Sequence, residues 1–156
     1  MINSEVKVES TQVSSGGFIF FNKKDTQQVF VLLIKNRKGE FWIPKGKLEK
    51  DEDQLSAAFR EIEEEVGFSK EQIKYIDFCY LDKYTYKEGE KLLGKELYIN
   101  IFEAKEQYIP KPEDDEIDIT NADWYEYENA REIISFNKNE LVKSKQIFDL
   151  FCSQQK

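Results

Sequence analysis

The apolar positions of the chain fall into two periods, which separate candidate strands from candidate helices. Residues 28–36, QVFVLLIKN, form a continuous apolar run bounded by polar residues, which is typical of a strand buried on both faces. Residues 53–66, DQLSAAFREIEEEV, place apolar side chains at helical spacing, and Gly67 follows them as a helix terminator. The pattern therefore predicts both helices and strands.

The remaining segments complete the prediction. Gly16 and Gly17 indicate a turn that opens a strand and permits close approach of another backbone. The other predicted elements are, in chain order, a strand in SSGGFIFFN, a hairpin turn NRKGE, a short strand FWI, a loop PKGKLEKDED, two antiparallel strands IKYIDFCYLDKYTY and KELYINIFEA joined through KEGEKLLG, an acidic loop PKPEDDEID, a strand ADWYEY, and two helices ENAREIISF and NELVKSKQIFDLFCS.

Alternation of strands with helices indicates the α/β or α+β class, with helices covering a mixed sheet. The chain has 156 residues, which suits one domain over residues 1–156 with enough length to bury most of its apolar surface. We find no internal repeat or linker in the sequence.

Composition and charge narrow the possible functions. The chain is 40% hydrophobic and 35% charged, as expected of a globular protein, and its net charge of −8 argues against a general nucleic-acid or membrane-surface binder. The longest apolar run, Val29–Ile34, is too short to span a bilayer, and the first residues contain no apolar targeting segment. We therefore expect a cytoplasmic protein, either a monomer or a homodimer.

The sequence contains no histidine, which removes histidine bases, histidine-assisted nucleophiles and histidine-ligated zinc. Chemistry must then come from carboxylates, lysines, tyrosines, two cysteines or a metal ion. Cys79 and Cys152 lie far apart in the sequence and form no metal-ligand motif, so we interpret them as reduced thiols.

The predicted helix concentrates acids near its end. Glu61, Glu64 and Glu65 fall within an arc of about 100°, centred about 140° from the apolar stripe that the helix would bury. The stripe consists of Leu55, Phe59, Ile62 and Val66. A solvated acidic face is the simplest interpretation of such a cluster.

Three details favour a metal site instead. Glu61 and Glu65 repel each other at i, i+4, and the helix dipole disfavours acids near the C-terminus. A loop rich in glycine and lysine also leads directly into the helix. A divalent cation would relieve the repulsion, and ligands that are all oxygen atoms select Mg²⁺ or Mn²⁺.

The same residues resemble a known family signature. Gly46, five residues, Glu52, seven residues and then the run REIEEEVGF over residues 60–68 resemble the Nudix box of the Nudix hydrolases. Phe68 stands where that family usually has an aliphatic residue, a departure that bears on packing. The flanking stretches SSGGFIF, FWIPKGKLE and DWYEYENA are also similar to the family.

The resemblance implies an α/β/α sandwich around a mixed sheet, with the box forming a loop–helix–loop. It implies an enzyme that uses Mg²⁺ or Mn²⁺ and water to cleave a nucleoside diphosphate linked to another group. Glu61, Glu64 and Glu65 would bind the metal with the backbone carbonyl of Lys45. Arg60 would orient these glutamates, and Glu52 would support the loop or the metal shell.

The residue that accepts the water proton stays open between Glu61 and an acid of the loop at residues 113–118. In the family this loop often supplies a further metal-binding glutamate, but Glu116 lies eight residues before Trp124 and Asp118 six, so spacing does not decide between them. We favour Glu116, with a solvated acidic loop as the alternative.

The substrate follows from a second resemblance. The sequence PKG at residues 44–46 and the aromatic hairpin after residue 83 are similar to members that act on dinucleoside polyphosphates, such as diadenosine tetraphosphate. Tyr84 or Tyr86 would stack on a base. The lysines expected to meet the distal phosphates are Lys45, Lys47 and Lys95. Trp42 and Trp124 are interpreted as structural.

Other activities remain open at this point. Within the class they are a nucleoside triphosphate pyrophosphohydrolase, an ADP-ribose or ADP-sugar pyrophosphatase, and a hydrolase of RNA 5′ ends. Outside it, the alternative is a non-catalytic nucleotide-binding regulatory module. Such modules generally lose acids of the box, whereas Glu61, Glu64 and Glu65 are all present.

Overall fold

The computed structural model describes residues 7–113 and 118–155. Its elements are β1 (Ser10–Lys23), β2 (Gln28–Asn36), β3 (Phe41–Trp42), β4 (Lys45–Lys47), α1 (Gln54–Val66), β5 (Ile73–Glu88), β6 (Lys91–Ala104), β7 (Ile119–Glu126), α2 (Tyr127–Ile133) and α3 (Lys138–Gln154). All the helices and strands expected from the sequence are therefore found, with small differences in their bounds.

The strands form one mixed sheet in the described part of the chain. Its main path runs in the order β3-β2-β1-β6-β5, with β4 paired to β1 and β7 paired to β2. Strands β1 and β6 are parallel, and the other pairs are antiparallel. The antiparallel β5–β6 hairpin agrees with the prediction, and the mixture of pairings confirms the mixed sheet.

Alternating side chains of the central strands supply two separate hydrophobic cores. In β1, Phe18 and Phe20 face one side of the sheet, while Ile19 faces the other. Helices α2 and α3 cover the first side and α1 covers the second, through the buried residues Ala130, Leu141 and Phe148 on one face and Ala58, Ile62 and Val66 on the other. This alternation explains the continuous apolar run of β2 and confirms the α/β/α sandwich.

Two expectations about local structure were wrong. Gly16 and Gly17 lie inside β1 rather than in a turn before it. Lys45–Lys47, expected in a loop, forms β4 by pairing with residues 14–16 of β1. The close approach expected at the glycines is present, because a Cβ on Gly16 would come within 1.9 Å of the Pro44 carbonyl oxygen. Strand β4 forms only through its pairing with β1, which is distant in the sequence, so no local sequence pattern predicts it.

Two further sequence expectations concern the thiols and the membrane. Cys79 and Cys152 are both free and half-buried. The longest described helix, Lys138–Gln154, is amphipathic rather than apolar, and none of the described helices is long and apolar enough to cross a bilayer.

Candidate active site

Helix α1 begins and ends where its capping residues predict. The Asp53 carboxylate accepts a hydrogen bond from the backbone N–H of Ser56 at 2.7 Å. Gly67 adopts the left-handed conformation with φ 86°, and its N–H donates to the carbonyls of Ile62 and Glu63. These two caps set the length of the helix and therefore the position of every acid along it.

The acids of α1 are not equally exposed. Glu61 and Glu65 are each only 9% exposed, whereas Glu64 is half-buried and Glu63 is exposed. A solvated acidic face therefore describes Glu63 but not the other three. Glu61 and Glu65 are buried because β4 lies against the side of the helix that carries them. On the apolar stripe of the helix, Leu55 and Phe59 are only half-buried.

Strand β4 is fitted closely to the two buried glutamates. A Cβ on Gly46 would lie 2.1 Å from the Glu61 carboxyl carbon, so this carboxylate occupies space that only glycine leaves open. One residue earlier, the backbone N–H of Lys45 donates to Glu65 Oε1 at 2.8 Å. The Lys45–Gly46 peptide thus lies beside both carboxylates, where the Lys45 carbonyl was expected to join them.

Arg60 connects the box acids to the loop before the helix. Its Nε and Nη2 atoms donate to the two carboxylate oxygens of Glu52 at 2.8 and 2.9 Å. Its Nη1 donates to Glu61 at 2.8 Å and more weakly to Glu64 at 3.3 Å. Nη2 also donates to the Lys47 carbonyl at 2.9 Å. Such paired, charge-assisted bonds hold both the loop and the Glu61 carboxylate in place.

The pKa values of these groups reflect their surroundings. The hydrogen bond from Arg60 lowers the pKa of the Glu52 carboxyl, and the same bond raises the pKa of the guanidinium. Burial raises the pKa of the Glu61 carboxyl, although the hydrogen bond from Arg60 works in the opposite direction. Burying a carboxylate is costly without a cationic partner, and Arg60 supplies that partner to Glu61.

The donor chemistry of the site suits a hard divalent cation. Glu61, Glu64 and Glu65 offer carboxylate oxygens on adjacent turns, and no softer ligand lies among them. In the described residues, however, no three acidic or cysteine side chains converge on one point for a metal. The Arg60 guanidinium bonds to Glu61 and Glu64, and Lys45 N–H bonds to Glu65. Side-chain rotation would be needed to direct all three at one ion.

The acidic loop begins at the end of the same helix. The backbone N–H of Lys111 donates to the Val66 carbonyl at 2.7 Å, and that of Glu113 donates to the Glu64 carbonyl at 2.9 Å. Glu116 lies outside the described residues, so its expected role stays a prediction. Asp118 is exposed and lies beside the β2–β3 turn, where it lines a small cavity with Lys38.

A cavity of about 480 Å³ opens on the α3 side of the sheet. Trp42 and Phe136 pack together on its wall with ring centroids 4.6 Å apart. The Lys45 ammonium lies 4.3 Å from the Trp42 ring centroid. Asn137 holds the tryptophan by accepting a hydrogen bond from its Nε1 at 3.0 Å. The cavity therefore combines an aromatic wall with a cation.

Three of the expected substrate-binding residues line this cavity: Lys45, Tyr84 and Lys95. Burial lowers the pKa of Lys45, and the charge of Lys95 acts in the same direction, whereas the charges of Glu65 and Glu61 act in the opposite direction. Two ammonium groups that repel each other form a site for an anion, because a bound phosphate would relieve the repulsion. The cavity can thus accept both a ring and a negatively charged group.

The other expected residues lie elsewhere. Lys47 and Tyr86 are not among the residues that line the cavity. The Lys47 side chain is exposed. The ring centroid of Tyr86 lies 5.3 Å from the Lys95 ammonium. Trp124 has a structural position, stacked on Phe68 and bonded through Nε1 to the Tyr108 carbonyl. Trp42, by contrast, lines the cavity, and its structural interpretation stays a prediction.

Phe136 and Asn137 were missed because they come from the connection between α2 and α3. Phe136 is 40% exposed. The only signal was an apolar residue at the end of the predicted helix ENAREIISF, followed by asparagine, and it resembles an ordinary helix end. Their approach to Trp42, about 95 residues earlier in the chain, follows from tertiary packing alone.

The comparisons with known proteins agree with this geometry. The family model for the NUDIX domain matches residues 11–146. A structure of a C. elegans Ap4A hydrolase binary complex superposes with a TM-score of 0.71 at 21% identity, covering 92% of this chain and 98% of that chain. The NUDIX domain of Shewanella oneidensis NrtR, complexed with ADP ribose, superposes with a TM-score of 0.62 at 12% identity. The match covers 87% of this chain and 86% of that chain.

A third structure, the E. coli dihydroneopterin triphosphate pyrophosphohydrolase, superposes with a TM-score of 0.57 at 19% identity. The match covers 84% of this chain and 92% of that chain. These three likenesses support the fold, while the family match rests on most of the chain. The chain belongs to the NUDIX family and is a hydrolase of pyrophosphate bonds. Hydrolases of this family generally need a divalent metal ion.

Proposed function

We propose that this hydrolase acts on a dinucleoside polyphosphate, with diadenosine tetraphosphate as the first candidate. The observation that carries the proposal is that Lys45 contacts both the acid cluster and the cavity. Its backbone N–H bonds to Glu65 of the acid cluster, while its ammonium lies against Trp42 in the cavity. A substrate with a base in the cavity and phosphates at the acids would pass this residue. The Ap4A hydrolase among the similar structures supports the same choice.

The acid cluster would hold the metal. Glu61, Glu64 and Glu65 are the proposed side-chain ligands of Mg²⁺ or Mn²⁺, and the Lys45 carbonyl is the proposed backbone ligand. When bound, the cation would neutralise phosphate oxygens and orient a water molecule for attack. The proposal is supported by the burial of Glu61 and Glu65 beside the Lys45–Gly46 peptide.

The protein's own residues would orient the substrate and the acids. Arg60 holds Glu61 through Nη1 and is itself held by Glu52, so it limits the rotamers available to the acid. Lys45 and Lys95 would bind phosphates beyond the cleaved bond. Two lysines in one cavity favour a substrate that carries several phosphates.

A nucleoside would occupy the aromatic wall. Phe136 and Tyr84 are 40% and 44% exposed, so each has ring surface available for a base. One face of Trp42 is covered by Lys45, which leaves Trp42 to support Phe136 rather than to stack directly. Base–aromatic stacking contributes about 1–3 kcal/mol per base.

A substrate panel with Mg²⁺ tests the proposal. We would compare diadenosine tetraphosphate, ATP, ADP-ribose and an RNA with a 5′-triphosphate, and resolve the products by chromatography to identify the bond that is cleaved. The expected result is the highest kcat/KM for diadenosine tetraphosphate. A preference for ADP-ribose, which has only two phosphates, would overturn the assignment. Glu64→Gln serves as the inactive control that excludes contaminating hydrolases.

A further inference from the structure

A buried polar network lies beneath the box helix and is not explained by the proposed function. It consists of the side chains of Ser15 in β1, Gln54 in α1 and Asn100 in β6. Ser15 and Asn100 are fully buried, and Gln54 is half-buried at the first position of the helix. Three elements therefore meet at one set of hydrogen bonds.

The amides of Gln54 and Asn100 bond to each other in both directions. Gln54 Nε2 donates to Asn100 Oδ1 at 3.1 Å, and Asn100 Nδ2 donates to Gln54 Oε1 at 2.8 Å. Ser15 Oγ donates to the same Gln54 oxygen at 2.9 Å. Asn100 Nδ2 also lies 3.2 Å from Ser15 Oγ and 3.0 Å from the Gly16 carbonyl oxygen. The geometry of each amide is thus specified by several directional contacts.

Strand β1, which carries Ser15 of this network, also pairs with β4, the strand that meets the acids. Ser15 is the register partner of Gly46, and Gly16 is the partner of Lys45. On the other side of the network, Gln54 begins the helix that carries Glu61 and Glu65. The network therefore joins strand β1 to helix α1. The separation of these two elements sets the distance between the backbone at Lys45 and Gly46 and the carboxylates of the helix.

That separation has little tolerance. The Glu61 carboxylate fills the space of a missing Gly46 side chain, and the Lys45 N–H reaches Glu65 at 2.8 Å. Apolar packing of Ile62 and Val66 holds α1 on the sheet, but dispersion contacts change little when a helix slides or rotates slightly. Directional hydrogen bonds between buried groups resist such movement, and their loss leaves desolvated polar atoms.

We propose that Ser15, Gln54 and Asn100 are positioning residues that fix helix α1 against strand β4 and so set the geometry of the metal-binding acids. This inference rests on the assignment of Glu61 and Glu65 as metal ligands under the proposed function. We assign the three side chains no direct contact with substrate or metal. Their effect is transmitted through the Gly46–Glu61 and Lys45–Glu65 contacts.

Gln54→Met is the most informative variant, because it keeps the side-chain length and the helix propensity but removes all three hydrogen bonds of Gln54. Replacing the fully buried Asn100 could unfold the protein, so Ser15→Ala is the second variant. Ile99→Val is the matched control. It removes one buried methylene from β6 next to Asn100, but on the α3 side of the sheet.

Activity and metal affinity are measured separately. Mn²⁺ binding is followed by electron paramagnetic resonance, and kcat and KM are measured at saturating Mg²⁺ on protein whose folding is checked by circular dichroism. For Gln54→Met we expect about a tenfold loss of kcat, KM within twofold of wild type, and Mn²⁺ affinity weakened about fivefold. Ser15→Ala should show the same pattern to a smaller extent, and Ile99→Val should match wild type.

A purely structural network gives a different result. If Gln54→Met lowers thermal stability but keeps kcat and Mn²⁺ affinity within twofold of wild type, the proposal is overturned. A failure of the metal assignment is recognised independently, because wild type and Glu64→Gln would then bind Mn²⁺ equally. In that case the test of the network is the kinetics of Gln54→Met. A lower kcat with KM within twofold of wild type supports the positioning role, and an unchanged kcat overturns it.

Discussion

Gly46 shows how a single residue controls the approach of strand β4 to helix α1. A Cβ at this position would lie 2.1 Å from the Glu61 carboxyl carbon and 2.3 Å from both carboxylate oxygens. Neither the strand nor the helix can retreat freely, because Lys45 N–H is bonded to Glu65 one residue away. The glycine is therefore needed for the position of Glu61 rather than for backbone flexibility.

We expect Gly46→Ala to displace Glu61. The overpacking should lower the free energy of unfolding by about 1–3 kcal/mol and reduce kcat about 100-fold. Urea denaturation and steady-state kinetics measure the two effects. Gly94→Ala is the control, because its Cβ would meet only side-chain atoms of Thr11 and Val8, at 3.0 and 3.2 Å for the nearest atom of each. Equal losses in both variants would show that strand glycines matter only for stability.

The identity of the general base is also decided at the residue scale. Glu61 is buried and held by Arg60, as suits a ligand, whereas Glu116 belongs to a loop with prolines at 110 and 112. We predict that Glu116→Gln lowers kcat with little change in Mg²⁺ affinity, and that Glu61→Gln weakens metal binding as well. A Mg²⁺ titration of both variants tests this. If excess Mg²⁺ leaves Glu61→Gln inactive while Glu116→Gln stays near wild type, Glu61 is the better base.

At the scale of elements, the end of helix α1 is joined to the acidic loop. Gly67 closes the helix with φ 86°, and Lys111 and Glu113 donate backbone hydrogen bonds to the carbonyls of Val66 and Glu64. A Cβ on Gly67 would meet the Lys111 carbonyl oxygen at 2.2 Å. The same glycine thus serves both the cap of the helix and the docking of the loop.

Gly67→Ala separates these two roles when it is compared with Gly39→Ala. Gly39 has a similar φ of 81° but open space around its missing side chain. Left-handed strain alone should lower the free energy of unfolding by about 1–2 kcal/mol in either variant. We expect Gly67→Ala to lose at least ~1 kcal/mol more, since the loop must move. Similar losses in urea denaturation would show that the loop is not docked tightly.

At the scale of the whole molecule, the acid cluster should connect metal binding to stability. Glu61 and Glu65 are buried on the helix, so a cation that binds them only in the folded state stabilises the fold by mass action. At a Mg²⁺ or Mn²⁺ concentration of about 100 Kd, the gain should be about 2.7 kcal/mol. Differential scanning calorimetry should show a higher Tm with metal, which EDTA reverses.

Glu64→Gln provides the control for this measurement, because it removes a proposed ligand that is only half-buried. Its Tm should no longer respond to the metal, while its fold stays intact. Activity of the wild type should disappear in excess EDTA and return with Mg²⁺ or Mn²⁺. Undiminished turnover in EDTA would contradict the metal assignment.

The cavity supplies a second prediction at this scale. Removing the Phe136 ring should raise KM for a dinucleoside polyphosphate about tenfold, since stacking on one base is worth about 1–3 kcal/mol. Phe78→Ala is the matched control, because Phe78 is 38% exposed and Phe136 is 40% exposed, while Phe78 does not line the cavity. Equal KM values for the two variants would place the base elsewhere.

The sequence by itself determined the elements whose signals are local. Apolar periodicity and Gly67 predicted helix α1, and the spacing of Gly46, Glu52 and the acids gave the resemblance to the family. The apolar run of β2 predicted burial on both faces, which the two cores confirm. The helix and strand patterns are carried by residues a few positions apart and follow from backbone geometry. The box spans residues 46–68 and was recognised by its resemblance to the family.

Only the tertiary structure decided which distant residues meet. The burial of Glu61 and Glu65 depends on β4, a strand that exists through its pairing with β1. The cavity brings together Trp42 of β3, Lys95 of β6 and Phe136 from the connection of α2 and α3. These contacts depend on sheet order and helix packing, which hold residues together across 40 to 95 positions of the chain. Side-chain periodicity specifies which face of an element is buried but not which element covers it.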